Sequence, residues 1–105
     1  MIYMDEIYVS SNTEIIRQLG LRFKTYRIQC RLTQRELSEQ TGVSVPTIRG
    51  FENGKLVNPS LQVLLSLMRA VGQLEQIKLI LPELPQNPKD VFTKKIAPKR
   101  VRHGK

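Results

Sequence analysis

A chain of 105 residues with 40% hydrophobic and 25% charged residues makes one domain with a modest core, and its size excludes a multi-domain enzyme. Its apolar runs are only a few residues long, against the roughly 20 that cross a bilayer, which excludes a membrane-spanning segment. The net charge of +8 points to an anionic partner, and where that charge lies matters more than its total.

Counting Lys, Arg, Asp and Glu, residues 1–12 carry −2, 13–31 carry +4, 32–88 are neutral and 89–105 carry +6. The excess sits in the first helical segment and in the tail KDVFTKKIAPKRVRHGK. Residues 1–9 hold Asp5 and Glu6 but no Lys or Arg, the wrong charge pattern for a signal peptide, so a cytoplasmic location is expected. The single cysteine, Cys30, excludes an internal disulfide and a cysteine-based zinc cluster, and is expected to be a small buried apolar side chain.

Residues 1–11 read as an N-terminal arm. Ile2, Met4, Ile7 and Val9 keep no clean period, so a short strand and an irregular arm both stay open. Ser11 and Glu14 have the spacing of a capping box, and Ile15, Ile16, Leu19, Phe23, Tyr26 and Cys30 follow at intervals of three and four, predicting a helix over 12–30. Thr33 with Glu36 starts a second helix over 34–41, with Leu37 and Thr41 inward, until Gly42 supplies a residue that takes positive φ.

A third helix spans about 44–53. Ser44 is its cap and Pro46 lies in the first turn, where a missing N–H costs nothing, although the restriction that proline puts on its predecessor leaves Val45 as a possible boundary. Asn53-Gly54 stops it, and Asn58-Pro59-Ser60 opens a fourth helix carrying Leu61, Leu64, Leu65, Met68 and Val71 up to Gly72. A fifth segment over 73–81 places Leu74, Ile77 and Leu81 on one stripe and is read as a helix, although its β-branched residues leave a strand open. The prolines at 82, 85 and 88 preclude a continuous helix beyond it, so residues 82–105 read as a flexible basic tail. The whole is an all-α pattern without repeats or βαβ alternation.

Two short helices about Gly42, with Leu37, Thr41, Val43, Ile48 and Phe51 at internal positions and the small Ser38 at the close approach, are the pattern of a helix-turn-helix. The run LTQRELSEQTGVSVPTIRGFENGK, with Asn58-Pro59-Ser60-Leu61 after it, resembles the Cro and phage-repressor type, the XRE-like family, over residues 18–75. That resemblance implies a five-helix lambda-repressor-like domain, here residues 12–81, that binds double-stranded DNA. It implies that Gln34 bonds a phosphate beside a helix N-terminus, where exposed N–H groups favour anions. It also implies phosphate contacts from Asn53 and Lys55, and a buried ion pair between Arg27 and Glu52 that locks the third helix to the first.

Base reading falls to the outward face of the third helix. Ser44, Thr47 and Arg49 are its polar candidates. Arg49 suits the O6 and N7 of a guanine or a phosphate, and Val45 or Pro46 suits a thymine methyl. Gly50 lies on the same face and adds no hydrogen bond. With so few polar readers, DNA shape and deformability are expected to carry an unusual share of the discrimination.

Nothing suggests an enzyme. The one histidine, His103, lies in the tail, and no phosphate loop, metal-ligand cluster or nucleophile with a base is present, so neither cofactor nor metal is expected. Family likeness and half-site geometry both point to a homodimeric transcriptional repressor, with the stripe Leu74, Ile77 and Leu81 and the arm at 2–9 as candidate interfaces. The order LPELP, NPKD and a Lys/Arg-rich end also resembles HipB-like antitoxins, which repress their own operon and bind a HipA-type kinase toxin. The tail therefore keeps three readings: a DNA contact, a surface for a protein partner, or a solvated charge run.

Overall fold

The computed structural model describes residues 4–86. Five α-helices follow one another: α1 (Met4–Val9), α2 (Asn12–Gln29), α3 (Gln34–Thr41), α4 (Val45–Glu52) and α5 (Leu61–Ala70), with a 3-10 helix at Leu74–Leu79. Among the described residues there is no strand, and no helix is long and apolar enough to cross a membrane. The chain divides into two units, Met1–Glu75 and Gln76–Lys105. His103 and all of the basic tail after Gln86 lie outside the described residues.

Four hydroxyls start α2, α3, α4 and α5, each satisfying a backbone N–H that has no partner within its helix. Ser11 Oγ accepts from the Glu14 N–H at 3.1 Å, Ser44 Oγ from Thr47 at 3.2 Å and Ser60 Oγ from Val63 at 3.0 Å. Thr33 Oγ1 accepts from the Glu36 N–H at 3.0 Å while Glu36 Oε1 accepts from the Thr33 N–H at 2.9 Å, completing a capping box. The box at Ser11 is only half made, because the Glu14 carboxylate turns to Arg17 and Gln18 instead. Ser44, in extended geometry, is the cap of α4, and Val45 is already helical.

α2 packs on α4, and α3 packs on both α4 and α5. Phe23, Leu37, Val43, Ile48, Phe51, Leu67 and Val71 form the buried core, with Ile16, Leu32, Leu56, Val63, Leu64 and Ala70 against it. The Phe23 and Phe51 rings meet with centroids 5.7 Å apart, a tilted arrangement that aromatic quadrupoles favour.

Several expectations are corrected. The inward face of α2 is Gly20, Phe23 and Arg27 with Ile16 beside them, not the stripe through Leu19, Tyr26 and Cys30, all three of which are exposed. An apolar count misses that face because it contains a glycine and an arginine. Cys30 sits at the end of α2, its thiol 3.7 Å from the Val71 carbonyl oxygen. In α5, Leu67 is fully buried while Leu61, on the first turn, is exposed. The open choice at residues 1–11 resolves to a short helix over Met4–Val9, neither strand nor irregular arm. The fifth α-helix expected over 73–81 is the 3-10 helix Leu74–Leu79. Gly72 at φ 75° ends α5, Pro82 keeps Leu81 out of the α region, and the β-branched Ile77 and Ile80 weaken what remains, so the tighter, shorter helix forms. Leu81 lies past its end and is exposed.

Candidate functional site

The connection between α3 and α4 is closed by three local bonds. Gly42 takes φ 79° and its N–H donates to the Ser38 carbonyl at 2.8 Å, a left-handed cap that a Cβ would strain. Thr41 Oγ1 donates to the Leu37 carbonyl at 2.8 Å and accepts from the Val43 N–H at 3.1 Å. Val43, Ile48 and Phe51 are then buried, which fixes the rotation of α4 and turns its other side outward.

On that side Ser44, Pro46 and Arg49 are exposed, and Val45 and Thr47 are half-buried. The Arg49 side chain makes no hydrogen bond or ion pair among the described residues. Ser44 Oγ, besides capping the helix, donates to Thr47 Oγ1 at 2.9 Å, so the two hydroxyls are engaged with each other. Gly50, expected on the open face, is instead half-covered. Its carbonyl accepts from the Lys55 and Leu56 N–H groups, both at 2.9 Å, and a Cβ added to it would lie 3.4 Å from that of Leu56. The chain leaving α4 folds back over this position, so a side chain there would start in contact with Leu56.

Behind α4 lies one polar knot. Arg27 Nε and Nη2 donate to the two Glu52 carboxylate oxygens at 2.6 and 2.9 Å, Arg27 Nη1 donates to the Leu32 carbonyl at 2.7 Å, and Gln34 Nε2 donates to Glu52 Oε1 at 3.1 Å. Arg27 is 8% exposed and Glu52 2%. The bonds to Glu52 raise the Arg27 guanidinium above its ordinary range against the opposing effect of burial, so the arginine keeps its charge in the pair. The knot joins α2, the α2–α3 connection, α3 and α4. Gln34, the first residue of α3, is half-buried with its amide on Glu52. It keeps a second N–H and its carbonyl for another partner.

Asn53 caps the end of α4 and is exposed, its Oδ1 accepting from the Lys55 N–H at 3.1 Å. Lys55 is exposed. Gly54 between them has φ 80°, and the space beside it is filled by the stem of Arg17 from α2. Sequence reasoning passed over Arg17. Its only signal was a cation on the first helix, one of the five among residues 13–31, and nothing local ties residue 17 to residue 54. No group of three or more His, Cys, Asp or Glu among the described residues could hold a metal ion.

A family model described as a helix-turn-helix domain matches residues 18–76. That span includes α3, α4, α5 and most of α2. No curated protein matches the chain.

Proposed function

Because the chain belongs to the helix-turn-helix domain family, which supports a DNA-binding regulator, we propose that it is a sequence-specific transcriptional repressor. It acts in the cytoplasm on double-stranded DNA, as a homodimer reading two half-sites about 34 Å apart, with α4 in the major groove of each. It performs no catalysis and needs no cofactor.

The observation that carries this reading is the exposed Arg49 side chain, without a polar partner among the described residues, on the outward side of a helix whose other side is locked into the core. In this reading Arg49 takes a guanine, Val45 and Pro46 meet a thymine methyl, and Ser44 and Thr47 add polar contact at the base edges. Gln34, Asn53 and Lys55 hold phosphates, and the Arg27–Glu52 pair keeps α4 at a fixed depth. Shape and deformability of the duplex supply the rest of the discrimination. The test is recovery of bound fragments from genomic DNA, then base-by-base substitution of the recovered site. Losses at pairs that no side chain reaches support shape readout, losses confined to contacted pairs remove it, and failure to enrich any fragment removes the sequence-specific reading altogether.

A second reading adds a protein partner, in the manner of an antitoxin held by a HipA-type kinase toxin. It is supported by Leu79, Ile80, Leu81 and Leu84, all exposed in the second unit, where an apolar run of this kind marks a contact surface. Co-purification of a kinase with the tagged chain supports it, and a chain that purifies alone from its native cell removes it.

A further inference from the structure

We infer that Arg17, on the first turns of α2, is a further phosphate-binding residue on the DNA side of the molecule, an inference that rests on the DNA-binding reading above. Three observations point to it. The first is position. A Cβ added to Gly54 would lie 2.5 Å from Arg17 Cγ and 3.0 Å from its Cδ, so the arginine stem lies directly on the residue between Asn53 and Lys55. The stem thus sits where the chain leaves α4, between the two expected phosphate contacts.

The second is order. Arg17 Nε and Nη2 donate to Glu14 Oε1 at 3.1 and 3.0 Å, and Nη2 also donates to Oε2 at 2.9 Å. Gln18 Nε2 donates to the same carboxylate at 2.8 Å. Glu14 is therefore fixed from both sides, and it holds the guanidinium in one plane. A long exposed side chain ordinarily loses rotamer entropy when it binds, and here much of that loss is already made on folding.

The third is what the guanidinium still offers. Its bonds to Glu14 use Nε and Nη2, and Nη1 has no partner among the described residues. The side chain keeps 45% of its exposure. A guanidinium has five N–H donors in a planar fork matched to phosphate oxygens. The open Nη1 edge takes one phosphate of the strand that Asn53 and Lys55 follow, while Glu14 stays behind as the orienting group. Gly54 is part of the device, since any side chain there would drive the Arg17 stem away.

The test is the salt dependence of binding by the full chain to a duplex recovered from its genome and to a scrambled duplex. Replacing Arg17 by glutamine should lower the slope of log K against log salt by about 0.9 on both duplexes, the release of one counterion, and leave discrimination between them unchanged. An unchanged slope in Arg17→Gln, with folding verified by circular dichroism, overturns the inference and leaves the DNA-binding reading standing. Absence of duplex binding by the unaltered chain overturns both.

Discussion

The backbone carbonyl of Phe51 rests against Gly20 so closely that a Cβ at position 20 would lie 1.8 Å from its oxygen. α2 and α4 therefore touch main chain to main chain just before Glu52 and Asn53. Gly20→Ala gains about 1 kcal/mol of helix propensity, yet the atom it meets is backbone and cannot rotate away. The end of α4 must move, and overpacking of this kind costs about 1–3 kcal/mol, with a rigid neighbour at the upper end. The expected outcome is a net loss of stability in urea unfolding, accompanied by weaker duplex binding in the fraction that remains folded. A stability equal to or above that of the parent would show that the two helices are not held at this distance.

The Arg27–Glu52 pair predicts an asymmetry between single and double replacement. Removing either partner strands a charge that is almost wholly buried, so Glu52→Gln and Arg27→Met should each cost about 3–5 kcal/mol. Changing both together should cost much less than the sum, because no charge is left unpaired. A double-mutant cycle read by denaturant midpoints measures the coupling. Additive losses would mean that the pair does not act as a unit.

How much of this was readable in the residues depends on whether the cause was local. The caps at Ser11, Thr33, Ser44 and Ser60, the left-handed turn at Gly42 and the burial of Leu37, Val43, Ile48 and Phe51 follow from spacing and turn chemistry within a few positions. The 25-residue link from Arg27 to Glu52 was available only through family likeness, since no periodicity connects the two. Contacts made by residues without apolar side chains were not readable at all. Gly20 against Phe51, Leu56 over Gly50 and Arg17 over Gly54 are each set by how two segments approach, and hydrophobic patterning carries no mark of them. The segment after Gly72 was misread because its period fits an α-helix, while Pro82 and the β-branched Ile77 and Ile80 act on its geometry rather than on its pattern.

The mutual bond between the Ser44 and Thr47 hydroxyls ties stability to base discrimination at Ser44, whereas the two separate at Arg49 on the same outward face of α4. Ser44→Ala removes a cap as well as a base-edge hydroxyl, so it should cost about 1 kcal/mol of stability together with part of the ratio of specific to non-specific binding. Arg49→Ala touches nothing in the fold, so its unfolding midpoint should hold, whereas specific binding should weaken by about 1–3 kcal/mol with relaxed preference at one base pair. Binding isotherms on the recovered site and on single-base variants distinguish these cases. If Arg49→Ala weakens all duplexes equally, the guanidinium holds a phosphate and not a base.

Glu14 carries the pH dependence of the α2 start. The hydrogen bond from Gln18 first, and those from Arg17 next, hold its carboxyl below the usual carboxylate range. A folded-state pKa below the unfolded one means that the native chain binds the proton later. The stabilisation is then fully present above the unfolded value of about 4.3 and is lost as pH falls through the lower, folded one. The group is exposed, so the effect is small and screened by salt. Urea midpoints of the parent and of Glu14→Gln should differ by a constant amount from neutral pH down to about 5, and converge as acid protonates the parent. A difference between parent and Glu14→Gln that grows in acid would reverse the sign and mean that the carboxyl is bound in its neutral form.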